Sequence, residues 1–373
     1  MSLLLGALAL AIWVGLIGFH DDWWRVDAEV VPSPLNVWPS VVAVVPARDE
    51  ADVVGRTIAA LAAQDYPGEF RIILVDDDSS DGTAAVARAA AQGSDRLTIL
   101  SGAPLPQGWT GKLWALSQGI EAAGSPGYLW LTDADIDHAP ETLRNLAAIA
   151  VPGRLALVSL MARLRCEAFA ERLLIPAFVY FFQMLFPFRA VNRPGATAAA
   201  AGGCMFVEAR ALAAAGGIAS VRGAIIDDCA MGALLKRQGP IRLSLTGGSL
   251  SLRANPRIGD VGAMIARSAY AQLDYSPWRL AGTLLGLGLV FIVPPLLSLA
   301  GHGIARLTGI AAWSLIALSF QPMLRFYRRS PLWGLALPLI AAIYCWYTIV
   351  SAVQVWRGHG GQWKGRTQAM ASL

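Results

Sequence analysis

Apolar and polar positions along the chain fall into three regimes. Leu3 to Phe19 is an uncharged apolar run of 17 residues, just long enough to span a bilayer. No positive segment precedes it. His20-Asp21-Asp22-Trp23-Trp24 follows where a cleavable leader would carry small residues, so the run reads as a retained anchor, with the two tryptophans at the membrane interface. From 40 to 161, short apolar stretches alternate with helical patterns. Strands are expected at Val41–Val45, Arg71–Val75, Leu97–Leu100, Tyr128–Leu131 and Leu155–Leu160. Helices are expected at Ala51–Gln64, from about Gly82, at Trp114–Ala123 and at Pro140–Ala150. This βαβα order predicts an open parallel sheet that binds its ligand at the carboxyl ends of the strands. The third regime begins after Arg279, with long apolar stretches at Leu280–Ala300, Leu307–Leu324 and Leu332–Trp356. Each approaches the length of a spanning helix. Between the two regimes, Leu173–Phe188 is apolar and aromatic and is interrupted by Pro176 and Pro187. It is expected as an in-plane interfacial helix, with a buried core helix as the alternative.

Composition sharpens this division. Of 373 residues, 55% are hydrophobic and only 15% charged, with a mean hydropathy of +0.50, which argues against both a wholly soluble chain and a disordered one. The net charge of +4 conceals an asymmetry. Residues 275–373 contain eight basic residues and no Asp or Glu, so a polar portion is followed by one suited to lipid and anionic head groups. Arg325, Arg328 and Arg329 lie between the second and third C-terminal stretches and place that loop in the cytosol by the positive-inside rule, and the α/β portion with it. Three full crossings would then put Arg357, Lys364 and Arg366 outside, against the same rule. A re-entrant first segment, with Pro294-Pro295, would resolve the conflict. The expected organisation is an anchor over 1–20, a catalytic domain over 40–275 containing the 173–188 helix, membrane segments over 279–356 and a basic tail over 357–373. The expected location is the inner, cytoplasmic membrane of a bacterium. Four scattered cysteines with no CxxC pair, and four scattered histidines, argue against a disulfide framework and a zinc site. No nucleic-acid partner is expected.

Polar clusters stand at the strand ends. Pro46-Ala47-Arg48-Asp49-Glu50 follows the first strand and Asp76-Asp77-Asp78-Ser79-Ser80-Asp81-Gly82-Thr83 the second, where a doubly wound sheet holds a nucleotide. Each alone could be an acidic turn capping a helix; two at consecutive strand ends favour ligand binding. Asp133-Ala134-Asp135 follows the fourth strand. The alternation puts both carboxylates on one side of an extended segment, suited to a hard divalent cation that shares a diphosphate. Gly108-Trp109-Thr110-Gly111-Lys112 lets backbone approach closely and offers a lysine to a phosphate; an ordinary loop with a surface lysine is the alternative. Asp227-Asp228, before a helix, is equally an N-terminal cap or a source of a general base. No GxGxxG follows the first strand, which disfavours a dinucleotide-dependent oxidoreductase.

In this order, PARDE, DDDSSDGT, GK, DAD and a later acidic pair resemble the inverting glycosyltransferases of family 2 over about residues 40–275. GWTGKLWAL, ARSAYAQLDYSPW and the closing GGQWKGR are similar to the hopanoid-biosynthesis-associated members, and the membrane architecture more distantly to ceramide glucosyltransferases. The resemblance implies a GT-A fold: a Rossmann-like, mostly parallel sheet in a catalytic domain flanked by N-terminal and C-terminal transmembrane helices. It implies a nucleotide-sugar donor, UDP-linked, a lipid acceptor, contact with membrane lipids, and Mg2+ or Mn2+. By position, Pro46, Ala47, Arg48 and Glu50 line the nucleoside pocket, Asp76 and Asp77 meet uracil and ribose, and Lys112 approaches the donor. Asp133 and Asp135 flank the diphosphate, with Asp135 the direct metal ligand. Asp228 is the catalytic base, with Asp227 beside it, and Gly202, Gly203 and Gln272 lie on the acceptor side. The Gln/Arg-x-x-Arg-Trp motif of processive relatives is reduced to Arg267, kept for the diphosphate, so a polysaccharide synthase is disfavoured. A hopanoid is the implied acceptor. Diacylglycerol, a sphingolipid and a polyprenyl phosphate are its rivals, the last needing basic residues such as Arg189, Arg193 or Arg222. A non-catalytic membrane scaffold that keeps the fold is the alternative from a different class.

Overall fold

A computed structural model describes residues 1–27, 32–358, 360–363 and 366–367; Lys364 of the basic tail lies outside the described residues. The chain divides into two compact units. One is formed by Asp27–Arg165, Ala190–Ala254 and the tail from Gly361, the other by Met1–Val26, Cys166–Arg189 and Asn255–Gly360.

The first unit is α/β. Its strands are β1 (Val41–Ala47), β2 (Phe70–Asp76), β3 (Leu97–Ser101), β4 (Tyr128–Thr132), β5 (Ile136–His138), β6 (Leu157–Arg163), β7 (Cys204–Glu208) and β8 (Ile241–Ser251). They form one sheet in the order β3-β2-β1-β4-β7-β6-β8-β5. The half from β3 to β4 is parallel, as the βαβα pattern predicts. The other half corrects the open parallel sheet to a mixed one: β7 runs antiparallel to both β4 and β6, and β5 antiparallel to β8, while β6 and β8 are parallel. The reason is topological. Parallel neighbours need a crossover, whereas β7 returns from a long excursion and enters beside β4 from the opposite end.

Every residue of β1 is buried, which explains why it reads as a continuous valine run rather than an alternation. Val41, Ala43 and Val45 pack with Ile58, Leu61, Leu143 and Leu146 on one face. The helix Gly111–Ala123 covers the other, with Gly119 set tightly against Val44 and Val75. The far half is braced by a buried polar chain. Thr132 Oγ1 and His138 Nε2 are 2.8 Å apart, as are His138 Nδ1 and Ser249 Oγ. Burial pushes the His138 imidazole down to about 3, so it stays neutral.

The second unit is helical. Ser2–Phe19, Pro277–Ala300, Gly303–Phe326 and Pro331–Trp356 are long and apolar enough to cross a membrane, and they contain all four stretches expected from hydropathy. Pro277–Ala300 contains one π turn at Gly288–Ile292, ahead of Pro294. Trp13 from the N-terminal helix donates Nε1–H to Val290 O there, at 2.8 Å. That bond satisfies a carbonyl that the widened turn loosens. Leu285, Leu299, Leu307 and Leu339 remain exposed, the outer surface such helices need in lipid. The 173–188 segment is a helix over Phe169–Leu185, packed as a buried helix of this unit. Tyr180 packs at a tilt against Trp23 and edge-on against Phe320, at 4.8 and 5.0 Å between centroids, and Tyr344 Oη donates to Leu174 O at 2.8 Å.

Candidate active site

The ends of β1 and β2 are neighbours because Ala47 pairs with Asp76, and Asp77 N–H donates to Ala47 O at 2.8 Å. This register brings the two acidic loops together, and they are laced to each other. Asp49 N–H reaches Ser79 Oγ at 3.0 Å, Ser80 N–H reaches Asp49 Oδ1 at 2.9 Å and Glu50 N–H reaches Thr83 Oγ1 at 2.9 Å. Part of both motifs is therefore spent on loop architecture: Asp49, Ser79, Ser80 and Asp81 serve as internal caps. Arg48 lies over Asp77, donating Nη1–H to its carbonyl, with its carboxylate 3.7 Å away. Arg48 Nε is buried with no hydrogen-bond partner among the described residues. Pro46 and Ala47 contribute backbone and a small buried surface at the end of β1.

Lys112 is placed by capping. Thr110 accepts from Leu113 N–H at 3.4 Å and starts the helix Gly111–Ala123, which sets Lys112 in its first turn. Its ammonium meets Asp133 Oδ1 at 2.8 Å and Asp227 Oδ2 at 3.1 Å. Asp227 and Asp228 open the helix Asp227–Lys236, where the helix dipole favours acids. That helix is drawn in because Gly232 lies against the backbone of Ala199; a Cβ there would sit 2.7 Å from Ala199 C. The close approach carries Asp228 to Gly202, whose N–H donates to Asp228 Oδ2 at 3.1 Å, while Cys229 N–H donates to Oδ1 at 2.7 Å. Gly203 O accepts from Thr132 Oγ1 at 2.9 Å.

The electrostatics follow from three carboxylates around one ammonium. Burial opposes the Lys112 charge, but Asp133 and Asp227 outweigh it and hold the ammonium above its ordinary range. Burial raises the Asp133 carboxyl, and Asp135 and Asp227 raise it further against the pull of Lys112. Asp228 is pushed up to about 6 by burial and then by Asp227, with Lys112 and the two backbone N–H groups pulling the other way. Gly202 is needed for this crowding: a Cβ there would lie 3.1 Å from Lys112 Nζ and 3.6 Å from Asp228 Oδ2. Gly202→Ala is expected to leave the melting temperature near that of the wild type and to lower kcat about tenfold to a hundredfold by displacing the lysine. A steady-state assay beside a thermal melt checks this.

The spacing predicts an extended segment carrying Asp133 and Asp135 on one side, and the structure corrects this to a turn. They sit in the turn between β4 and β5 and take different partners. Asp135 Oδ2 accepts from Arg253 Nε at 3.0 Å. The same guanidinium reaches both carboxylate oxygens of Glu50, at 2.7 and 2.9 Å from Nη2. Sequence reasoning passed over Arg253. It stands alone in LSLRANPR, and its two partners lie 203 and 118 residues away, so no local spacing marks it. Arg267 and Gln272 belong to the helical unit, on the helix Ile258–Ser268 and the turn Ala271–Leu273. Arg189 is in that unit too, paired with Asp22.

A divalent cation fits the donor set. No group of three or more metal-ligating side chains is preassembled among the described residues. Asp133 and Asp227 lie within ion-pair distance of the single ammonium of Lys112, and Asp228 also feels it, an excess of negative charge that a divalent cation would offset.

Residues 42–214 match the family model described as glycosyl transferase family 2. A mannosyltransferase from Pyrobaculum calidifontis, solved in complex with GDP-Man and Mn2+, shares the fold with a TM-score of 0.57 at 20% identity, covering 96% of this chain and 99% of that one. The architecture is thus a GT-A domain combined with helices able to span a membrane. An N-acetylglucosaminyltransferase of Rhizobium leguminosarum bv. viciae is 36% identical over 114 residues, 30% of this chain and 26% of its own. A beta-monoglucosyldiacylglycerol synthase of Synechocystis sp. is 30% identical over 121 residues, 32% of this chain and 24% of its own. The chain spans about a quarter of the length of these two relatives.

Proposed function

We propose that this protein is a membrane-bound inverting glycosyltransferase that moves a sugar from a nucleotide sugar, UDP-linked, to a lipid hydroxyl. The observation that carries the reading is the convergence of Asp133, from the nucleotide side of the sheet, and Asp227, neighbour of Asp228, on the single ammonium of Lys112. A donor diphosphate there would have its charge met by Lys112, and an acceptor hydroxyl would find a base beside it. Arg48, Glu50, Asp76 and Asp77 hold the nucleoside; Asp135, with Asp133, holds the cation. A bound Mg2+ or Mn2+ supplies charge neutralisation for the departing diphosphate. Asp228 takes the hydroxyl proton as the acceptor oxygen bonds to the anomeric carbon from behind. The bond from that carbon to the diphosphate oxygen breaks, and its electron pair leaves with the nucleoside diphosphate. Lys112 stabilises the charge that develops there. A single displacement inverts the anomeric centre.

The lipid acceptor is supported by four candidate spans in the same chain and by the glucosyldiacylglycerol synthase among its relatives. Among lipids, the resemblance of GWTGKLWAL and ARSAYAQLDYSPW to the hopanoid-associated enzymes favours a hopanoid. Location in a bacterial inner membrane with the GT-A domain facing the cytosol belongs to the same reading. Membranes containing the protein, given Mg2+ or Mn2+, host lipid extract and labelled UDP-glucose, UDP-galactose, UDP-N-acetylglucosamine, UDP-glucuronate or GDP-mannose, are expected to pass label from one UDP-sugar into the organic phase. Label from none of them, with folded protein, would overturn the reading in favour of a non-catalytic scaffold.

A pH dependence follows. With the Asp228 carboxyl near 6, the base is ionised at neutral pH and protonated below. kcat is therefore expected to fall tenfold per pH unit on the acid side of about pH 6. A pH–rate profile with no limb between pH 5 and 7 would remove Asp228 from the role.

A further inference from the structure

The geometry points to Arg253 as a positioning residue that ties the nucleoside loop to the cation-side carboxylate and presents Asp135 in a fixed orientation. This rests on the glycosyltransferase reading above and adds to it a residue that no motif contains. Leu252 N–H donates to Asp135 O at 2.7 Å, which fastens the end of β8 to the β4–β5 turn and delivers the next side chain, Arg253, to the site. Its guanidinium is held first by Glu50. Both Glu50 oxygens engage Nη2, Glu50 is 5% exposed, and the Glu50 N–H is itself bonded to Thr83. Anchored there, the planar group offers Nε to Asp135 Oδ2. Asp135 Oδ1 has no hydrogen-bond partner among the described residues. One oxygen is thus spoken for and the other remains for a cation, the arrangement by which an outer partner orients a ligating carboxylate. Burial works against the Arg253 charge, but Asp135 and Glu50 prevail and keep the guanidinium ionised.

A mere counter-charge would act differently: it would compete with the cation, and its removal would tighten metal binding. The test uses the full chain in detergent, with Mn2+ binding followed by electron paramagnetic resonance and UDP binding by calorimetry, each alone and together. In the wild type, Mn2+ and UDP are expected to strengthen one another. R253M is expected to weaken Mn2+ alone by about 10–100-fold and to shrink the factor by which UDP improves Mn2+ affinity. R253K keeps the charge but not the fork and is expected to weaken Mn2+ as well. It also gives Glu50 a charged partner, which keeps the test open if R253M fails to fold. Mn2+ affinity unchanged or tightened in the folded variants, with the wild type binding both ligands, would overturn the role of Arg253 alone. A wild type that binds neither Mn2+ nor UDP would overturn the functional reading and this inference with it.

Discussion

Replacing Asp228 by Asn is expected to abolish most sugar transfer while leaving the nucleotide bound. Asn keeps the size of the side chain and one acceptor oxygen, enough for Gly202 N–H, while Cys229 N–H loses its partner. What disappears is a carboxylate poised near 6 by burial and by Asp227, able to take a hydroxyl proton at neutral pH. General-base catalysis of this kind contributes about 10²–10⁴-fold, and kcat should fall by that amount with UDP affinity within a few-fold of the wild type. The variant's stability should also respond to pH differently from that of the wild type. A carboxyl whose folded value lies above 3.8 binds its proton more tightly in the folded state, so the wild type loses stability as pH rises from about 4 to about 6 and carries the full cost above that. The melting temperature of Asp228→Asn relative to the wild type is therefore expected to be higher at pH 7.5 than below pH 5. Transfer at the wild-type rate by this variant would dismiss Asp228 as the base, and a melting difference from the wild type that does not change with pH would dismiss the charge crowding.

Lys112→Met should be as severe, for a different reason. The lysine is the one cation within ion-pair distance of Asp133 and Asp227 among the described residues, and Asp228 also feels it. Without it, three carboxylates share a half-buried space. Lys112 pulls the Asp228 carboxyl down, so its loss should send that carboxyl above 6 and shift the acid limb of the rate profile to higher pH. The leaving diphosphate also loses a preorganised positive group, a loss of about 10²–10³-fold in kcat. The paired signature, a lower plateau and a limb displaced alkaline, separates this role from simple misfolding. A profile lowered without displacement would detach Lys112 from Asp228.

The hydropathy pattern located the four candidate spans to within a few residues because length and apolarity are properties of a segment alone. The parallel half of the sheet was legible for a similar reason. Strands buried on both faces must be apolar throughout, and the polar residues that end them mark the ligand edge. In the mixed half only β6 was legible. β7 and β8 are defined by which neighbours they find, and β7 lies 72 residues after β4 from Thr132 to Cys204. The division of labour within the motifs was also hidden. DDDSSDGT reads as a uniform acidic run, yet Asp76 and Asp81 bond their own loop while Asp77 lies under Arg48.

By itself, then, the sequence determined the class of architecture, the positions of the membrane-length helices and the set of acids and the lysine gathered at the strand ends. Only the tertiary structure decided which acid faces which cation. Lys112 bridges Asp133 and Asp227, and Arg253 joins Glu50 to Asp135, through pairs separated by as many as 203 residues. Propensity and periodicity act over one turn or one strand. The charge balance that tunes a base is set by distances of about 3 Å between side chains that only the folded sheet brings together.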